Sequence, residues 1–223
     1  MKKSLFSLSC AISLVTLLAS TAGATVLYQN TNTYANILFN DGQSEFGNEV
    51  VMAGNGPFTV TNFVFEYYSL SSSVGEAEVR IYENNGTLSS GYATPNTPLF
   101  DSGQFAISPT GTNGETLDFN AQNTPGFDFI ATNDITWTVQ YSGTGTNAGI
   151  EVFYPPTVGT NYGDIWVNNG SSGWSLMEVT NAPLGGGAEI DGTTTPVPEP
   201  TAVMLGLAGG VAGLLMVLRG RRS

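Results

Sequence analysis

The stretch Ile135-Thr136-Trp137-Thr138-Val139-Gln140-Tyr141-Ser142 decides the fold. Every odd position is apolar and every even one polar, the period of a strand with one buried face. Working outward, the same period recurs. Phe63, Phe65 and Tyr67 share one face of a second strand, and Ala77, Val79 and Ile81 alternate with Glu78, Arg80 and Tyr82. Ile150, Val152 and Tyr154 alternate with Glu151 and Phe153. Shorter runs at Val26–Tyr28, Glu49–Met52, Leu99–Phe105, Leu117–Phe119, Phe127–Ile130, Ile165–Val167 and Trp174–Val179 bring the expected strands to about ten. Between them lie the turn dipeptides Asp41-Gly42, Asn85-Gly86, Asn113-Gly114, Asn169-Gly170 and Asp191-Gly192. No part of residues 25–195 carries a sustained 3.6-residue period. The expectation is an all-β domain over residues 25–184: an antiparallel β-sandwich, jelly-roll-like, with a closed barrel as the second choice.

Charge is laid out unevenly along the 223 residues. Lys2, Lys3, Arg219, Arg221 and Arg222 sit at the ends, and between Thr25 and Thr195 one cation, Arg80, faces 17 acids, a formal −16. A nucleic-acid binder needs a basic footprint, so nucleic acid is not an expected partner. The chain has no His, and its single Cys, Cys10, lies in the N-terminal apolar run. With that run removed, Cys nucleophiles, Ser-His-Asp triads, ordinary zinc and copper sites and disulfides are all excluded. Carboxylate chemistry and hard-cation binding through oxygen remain.

The first 24 residues read as an export signal. Met1-Lys2-Lys3 is a positive start, Leu5 to Leu18 is mostly apolar, and Ala22 and Ala24 fit an A-x-A site with cleavage before Thr25. At the other end, residues 185–196 read as a Gly/Thr-rich linker. Residues 197–223 then hold Pro198-Glu199-Pro200, an uncharged apolar stretch from Thr201 to Leu218, and Arg219, Arg221 and Arg222. As a helix the 18-residue stretch would run about 27 Å, enough for one transmembrane span, with the arginines stopping it on the cytoplasmic side.

These C-terminal parts resemble the PEP-CTERM sorting domain of exopolysaccharide-producing Gram-negative bacteria. The resemblance rests on Pro198, Glu199 and Pro200, the apolar helix, and the Arg219-Gly220-Arg221-Arg222 tail, and covers roughly the last 28 residues. It implies export through the inner membrane, a transient anchor, and recognition by exosortase, a membrane-embedded transpeptidase-like enzyme that processes the chain near the motif. It implies a destination at the cell surface or in the extracellular matrix. It assigns the three motif residues to recognition and not to catalysis.

For the ectodomain the expectation is a non-enzymatic surface or biofilm-matrix protein, with exopolysaccharide as a possible partner. Tyr162, Trp166 and Trp174 lie near expected loops and short strands and are the candidate aromatics for stacking on sugar rings. Trp137 shares the apolar face of Ile135 and Val139 and is assigned to the core. The alternatives are a carbohydrate-binding module or a glycoside hydrolase or lyase working through a carboxylate pair. No cofactor is expected. Calcium is the one ion the acidic field would favour, although Asn40-Asp41-Gly42-Gln43-Ser44-Glu45 lacks the spacing of a calcium loop.

Overall fold

The computed structural model describes residues 23–42, 44–178 and 184–194. It is built from strands. In chain order these are β1 Thr25–Gln29, β2 Tyr34–Phe39, β3 Glu45–Val51, β4 Phe58–Ser69, β5 Gly75–Glu83, β6 Leu88–Ser89, β7 Tyr92–Ala93, β8 Thr97–Ile107 and β9 Gly111–Asn120. They continue with β10 Phe129–Ala131, β11 Asp134–Ser142, β12 Ala148–Phe153, β13 Thr160–Asn161, β14 Asp164–Asn168, β15 Trp174–Glu178, β16 Gly185–Gly186 and β17 Ala188–Thr194. Every pairing is antiparallel. Among the described residues no helix is long and apolar enough to cross a membrane. The expected span at 201–218, the motif at 198–200 and the signal peptide up to Ala22 lie outside the described residues.

Two sheets carry the domain. In the second sheet the order is β15-β14-β3-β11-β5-β8. In the first, β4 pairs β9 and β10 along one edge and β17 and β12 along the other, and β12 carries β2 on its far edge. The alternation read at 135–142 holds. Ile135, Trp137, Val139 and Tyr141 are all buried in β11, and Ala77, Val79 and Ile81 lie beside them in β5. Aromatic rings join the sheets. Trp137 meets Phe63 and Phe65 of the opposite sheet at ring-centroid distances of 5.5 and 5.7 Å, and Phe100 meets Phe119 and Phe127 at 5.9 and 4.8 Å. Edge-on and tilted ring contacts of this kind add to the area they bury.

Two expectations fail. Residues 185–196 are not a linker over their described part: Ala188–Thr194 is a strand inside the first sheet, paired with β1 on one edge and β4 on the other. Ala188 and Ile190 are fully buried. The chain enters as a wedge where β12 diverges from β4. Gly186 pairs with Val152, the Gly187 amide donates to the Glu151 carbonyl at 2.8 Å, and Ala188 pairs with Phe65. The glycines that looked like a dissolved pattern mark close approach. A Cβ on Gly186 would stand 2.6 Å from Trp137 Cζ2, and one on Gly187 2.6 Å from Phe153 Cε2.

Nor are Asp191-Gly192 and Asn113-Gly114 turns. Both lie within strands, β17 and β9. At the first, the register against β4 slips so that Asp191 faces Asn62 and Gly192 faces Val60, which makes Thr61 the extra residue of a β-bulge. That bulge lets Phe58 and Val60 share the buried face with Phe63, Phe65 and Tyr67 although the parity of their numbering differs.

Candidate functional site

The far face of the second sheet carries the domain's concentrated polar chemistry. The alternation that sends Phe46, Val79 and Val139 into the sandwich sends Glu45, Arg80 and Thr138 to this face. Two clusters form there.

The first is centred on Glu45. Its Oε1 accepts from the Tyr82 hydroxyl at 2.8 Å and the Thr138 hydroxyl at 2.7 Å. Its Oε2 accepts from Asn168 Nδ2 at 3.2 Å and lies 3.2 Å from Arg80 NH1. Arg80 also reaches Glu78 through NH2 at 2.5 Å and Asp101 through Nε at 3.1 Å. Burial works against the guanidinium charge, but Glu45, Asp101 and Glu78 together outweigh it and move its pKa up. Glu78 moves up as well, despite touching Arg80, because burial and the neighbouring Asp101 prevail.

The second is a carboxyl pair, Glu49 and Asp134. Trp166 Nε1 donates to Glu49 Oε2 at 2.9 Å, and Asn84 Nδ2 donates to Asp134 Oδ1 at 2.7 Å, with the Thr136 hydroxyl fixing Asn84 at 2.7 Å. Glu49 is 6% exposed. Burial pushes its pKa up to about 7, helped by Asp134 and Asp164 and opposed by the Trp166 hydrogen bond. Burial raises Asp134 too. The pair therefore retains a proton well above the usual carboxylate range. A raised carboxyl pKa makes a contribution to stability that is complete below the ordinary value near 4.5 and is lost as pH rises through about 7. The melting temperature is expected to fall between pH 5 and pH 8. Glu49→Gln, which keeps a neutral group beside Trp166, is expected to flatten that fall. Thermal melts of both proteins across the interval check this; parallel pH profiles would remove the shared proton.

The three aromatics singled out in the sequence have separate fates. Trp166 is not a surface platform: it is fully buried and held by Glu49. It pairs with Gly47 of β3 and falls on the far face with Glu49. Tyr162 is 40% exposed and stands 6.2 Å from the ring of Tyr92, itself 44% exposed. Tyr92 also lines a cleft of about 320 Å³ with Ser90, Asp164 and Leu176. Trp174 is half-buried at the edge strand β15, with its ring edge-on to Tyr82 at 5.7 Å.

Trp174 lines a cleft of about 490 Å³ between the segment 86–96 and the turn 172–174. The opposite wall is the two-stranded β6–β7 hairpin with its flanks, closed by a hydrogen bond from the Gly86 amide to the Thr94 carbonyl at 2.9 Å. A neighbouring cleft of about 570 Å³ is lined by Ser44, Glu45, Gln140, Asn168, Asn169 and Gly170. Among the described residues no group of three or more Asp or Glu side chains is placed to hold a metal ion. Asn40-Asp41-Gly42 forms a tight turn in which Asn40 Oδ1 accepts from the Gly42 amide at 2.6 Å.

Tyr82, Tyr92, Glu45, Glu49 and Asp134 were missed as a group. A signal for part of it was present: Glu45 and Glu49 lie four apart on one strand and so share a face, and Arg80 is the domain's one cation. No protein-family model, no curated protein and no solved structure matches the chain.

Proposed function

We propose that this is an exported envelope or biofilm-matrix protein. Its jelly-roll ectodomain works without catalysis, and its last residues are a sorting signal for an exosortase-type enzyme. The observation that carries the proposal is the joint presence of a signal peptide, Pro198-Glu199-Pro200, an apolar 18-residue stretch and a terminal arginine cluster. The anchor at 201–218 holds the chain in the inner membrane until it is processed and released to the surface or matrix.

The jelly-roll reading is supported by strand order. β2-β12-β4-β9 in one sheet and β3-β11-β5-β8 in the other are the neighbours expected of eight strands wound as two Greek keys. Thr25 pairs with Gly192, so the first strand of the domain starts beside the end of its last described strand.

Mass spectrometry of the exported protein tests the sorting reading. The expected mature chain begins at Thr25 and lacks Arg222. An exported protein that still carries Arg222 would overturn it.

A further inference from the structure

We propose that the cleft beside Trp174 is a subsite for a segment of an uncharged glycan. This deepens the matrix role proposed above and rests on it for its biological setting. Three observations on the cleft point the same way. Its aromatic floor is fixed: Tyr82 meets the Trp174 ring edge-on at 5.7 Å, and the Tyr82 hydroxyl is anchored on Glu45 at 2.8 Å. A pre-positioned indole offers a flat apolar face to the C–H face of a pyranose with little ordering cost. The walls are rich in neutral hydrogen-bonding groups, with Thr87, Ser89, Asn96 and Ser172 surrounding Trp174. Hydroxyls and amides of this kind match the hydroxyl rim of a sugar. Among the described residues no charged side chain lines the cleft, and its volume of about 490 Å³ falls within the ~300–1,000 Å³ range of small-ligand sites.

Charge sets the class of glycan. The ectodomain carries 17 acids and one arginine, and that arginine is engaged with Glu45, Glu78 and Asp101. A uronate-bearing chain would meet like charge with no cation to receive its carboxylates. A neutral chain meets no such barrier. Leu88, 73% exposed, also lines the cleft and adds an apolar side chain to its surface.

The protein has three tryptophans, of which Trp137 and Trp166 are fully buried. Acrylamide quenching of tryptophan emission in the full-length protein therefore reports on Trp174. The probes are hexasaccharides of neutral β-glucan, mannan and galactan, and of galacturonan, each at about 10 mM to saturate a site of millimolar Kd. At least one neutral hexasaccharide is expected to lower the quenching constant twofold or more, while the galacturonan leaves it unchanged. In affinity electrophoresis through the neutral polymer that protects, Trp174→Ala is expected to lose retardation and Trp174→Phe to keep part of it. Asn96→Ala, at an exposed position, is expected to weaken retardation roughly two- to tenfold, the worth of a hydrogen bond. Failure of every neutral glycan to protect Trp174 in a protein with an intact melt would overturn the site. Equal protection by galacturonan would overturn the class, and unchanged retardation of Trp174→Ala would overturn the residue. None of these results touches the mass-spectrometric test of sorting, so the two readings fail separately.

Discussion

Arg80→Met will destabilise the domain by about 3–5 kcal/mol, the usual cost of removing one partner from a buried ion pair. In a domain of this size that is a fall in Tm of roughly 10 °C. Arg80 is 20% exposed along its side chain and Glu45 7%, so with the guanidinium gone the carboxylate stays buried with only neutral donors. Asp101 is half-exposed, and its share of the effect will be small. Arg80→Lys keeps the charge but not the planar fork that reaches three carboxylates at once, and a smaller loss is expected. The double variant Arg80→Met with Glu45→Gln should recover part of the loss, because it removes the buried charge along with its partner. Thermal melts of the wild type, Arg80→Met, Glu45→Gln and the double variant form a mutant cycle. Additive losses across that cycle would mean that the 3.2 Å contact between Arg80 and Glu45 contributes nothing.

Ending the chain at Gly187 will abolish folding, whereas ending it at Thr194 will leave a cooperatively folding domain. The seven residues between are a strand with both edges paired, to β1 and to β4. Their removal strips two ladders of backbone hydrogen bonds and exposes Phe63 and Phe65, which now lie fully buried beside Trp137. Losses of this kind exceed the whole stability of a typical domain, ~5–15 kcal/mol. Circular dichroism and thermal melts of the two truncations check the expectation. A folded product from the shorter one would show β17 to be dispensable.

Much of the architecture was legible where apolar and polar residues alternate along a strand. Ile135 to Tyr141 and Ala77 to Ile81 alternate, and the structure buries their apolar positions between the sheets, although Thr136 and Thr138 on the far face are buried too. Legibility failed where that condition failed. β17 joins Ala188 and Ile190 to Glu189, Asp191 and a run of threonines, so its two apolar residues look incidental until β4 and β1 are beside them. At Gly185, Gly186 and Gly187 a missing side chain looks the same in the sequence whether it marks a linker or admits Asn161, Trp137 and Phe153.

The candidate site divides in the same way. Trp174 and Tyr162 keep a place on an accessible face, and their position near loops had suggested it. Trp166 does not, because its surroundings are set by Gly47 and Glu49, more than a hundred residues away in the chain.

The amino-acid sequence by itself determined the all-β class of the domain and the side-chain chemistries open to it, since composition and periodicity are local properties of the chain. Tertiary structure alone decided that β17 is an interior strand, that Trp166 is buried and Trp174 is not, and that Arg80 sits among three carboxylates. Each of these depends on contacts between residues far apart in the chain. Burial and pairing energies of that kind exist only once the sheets have closed on each other.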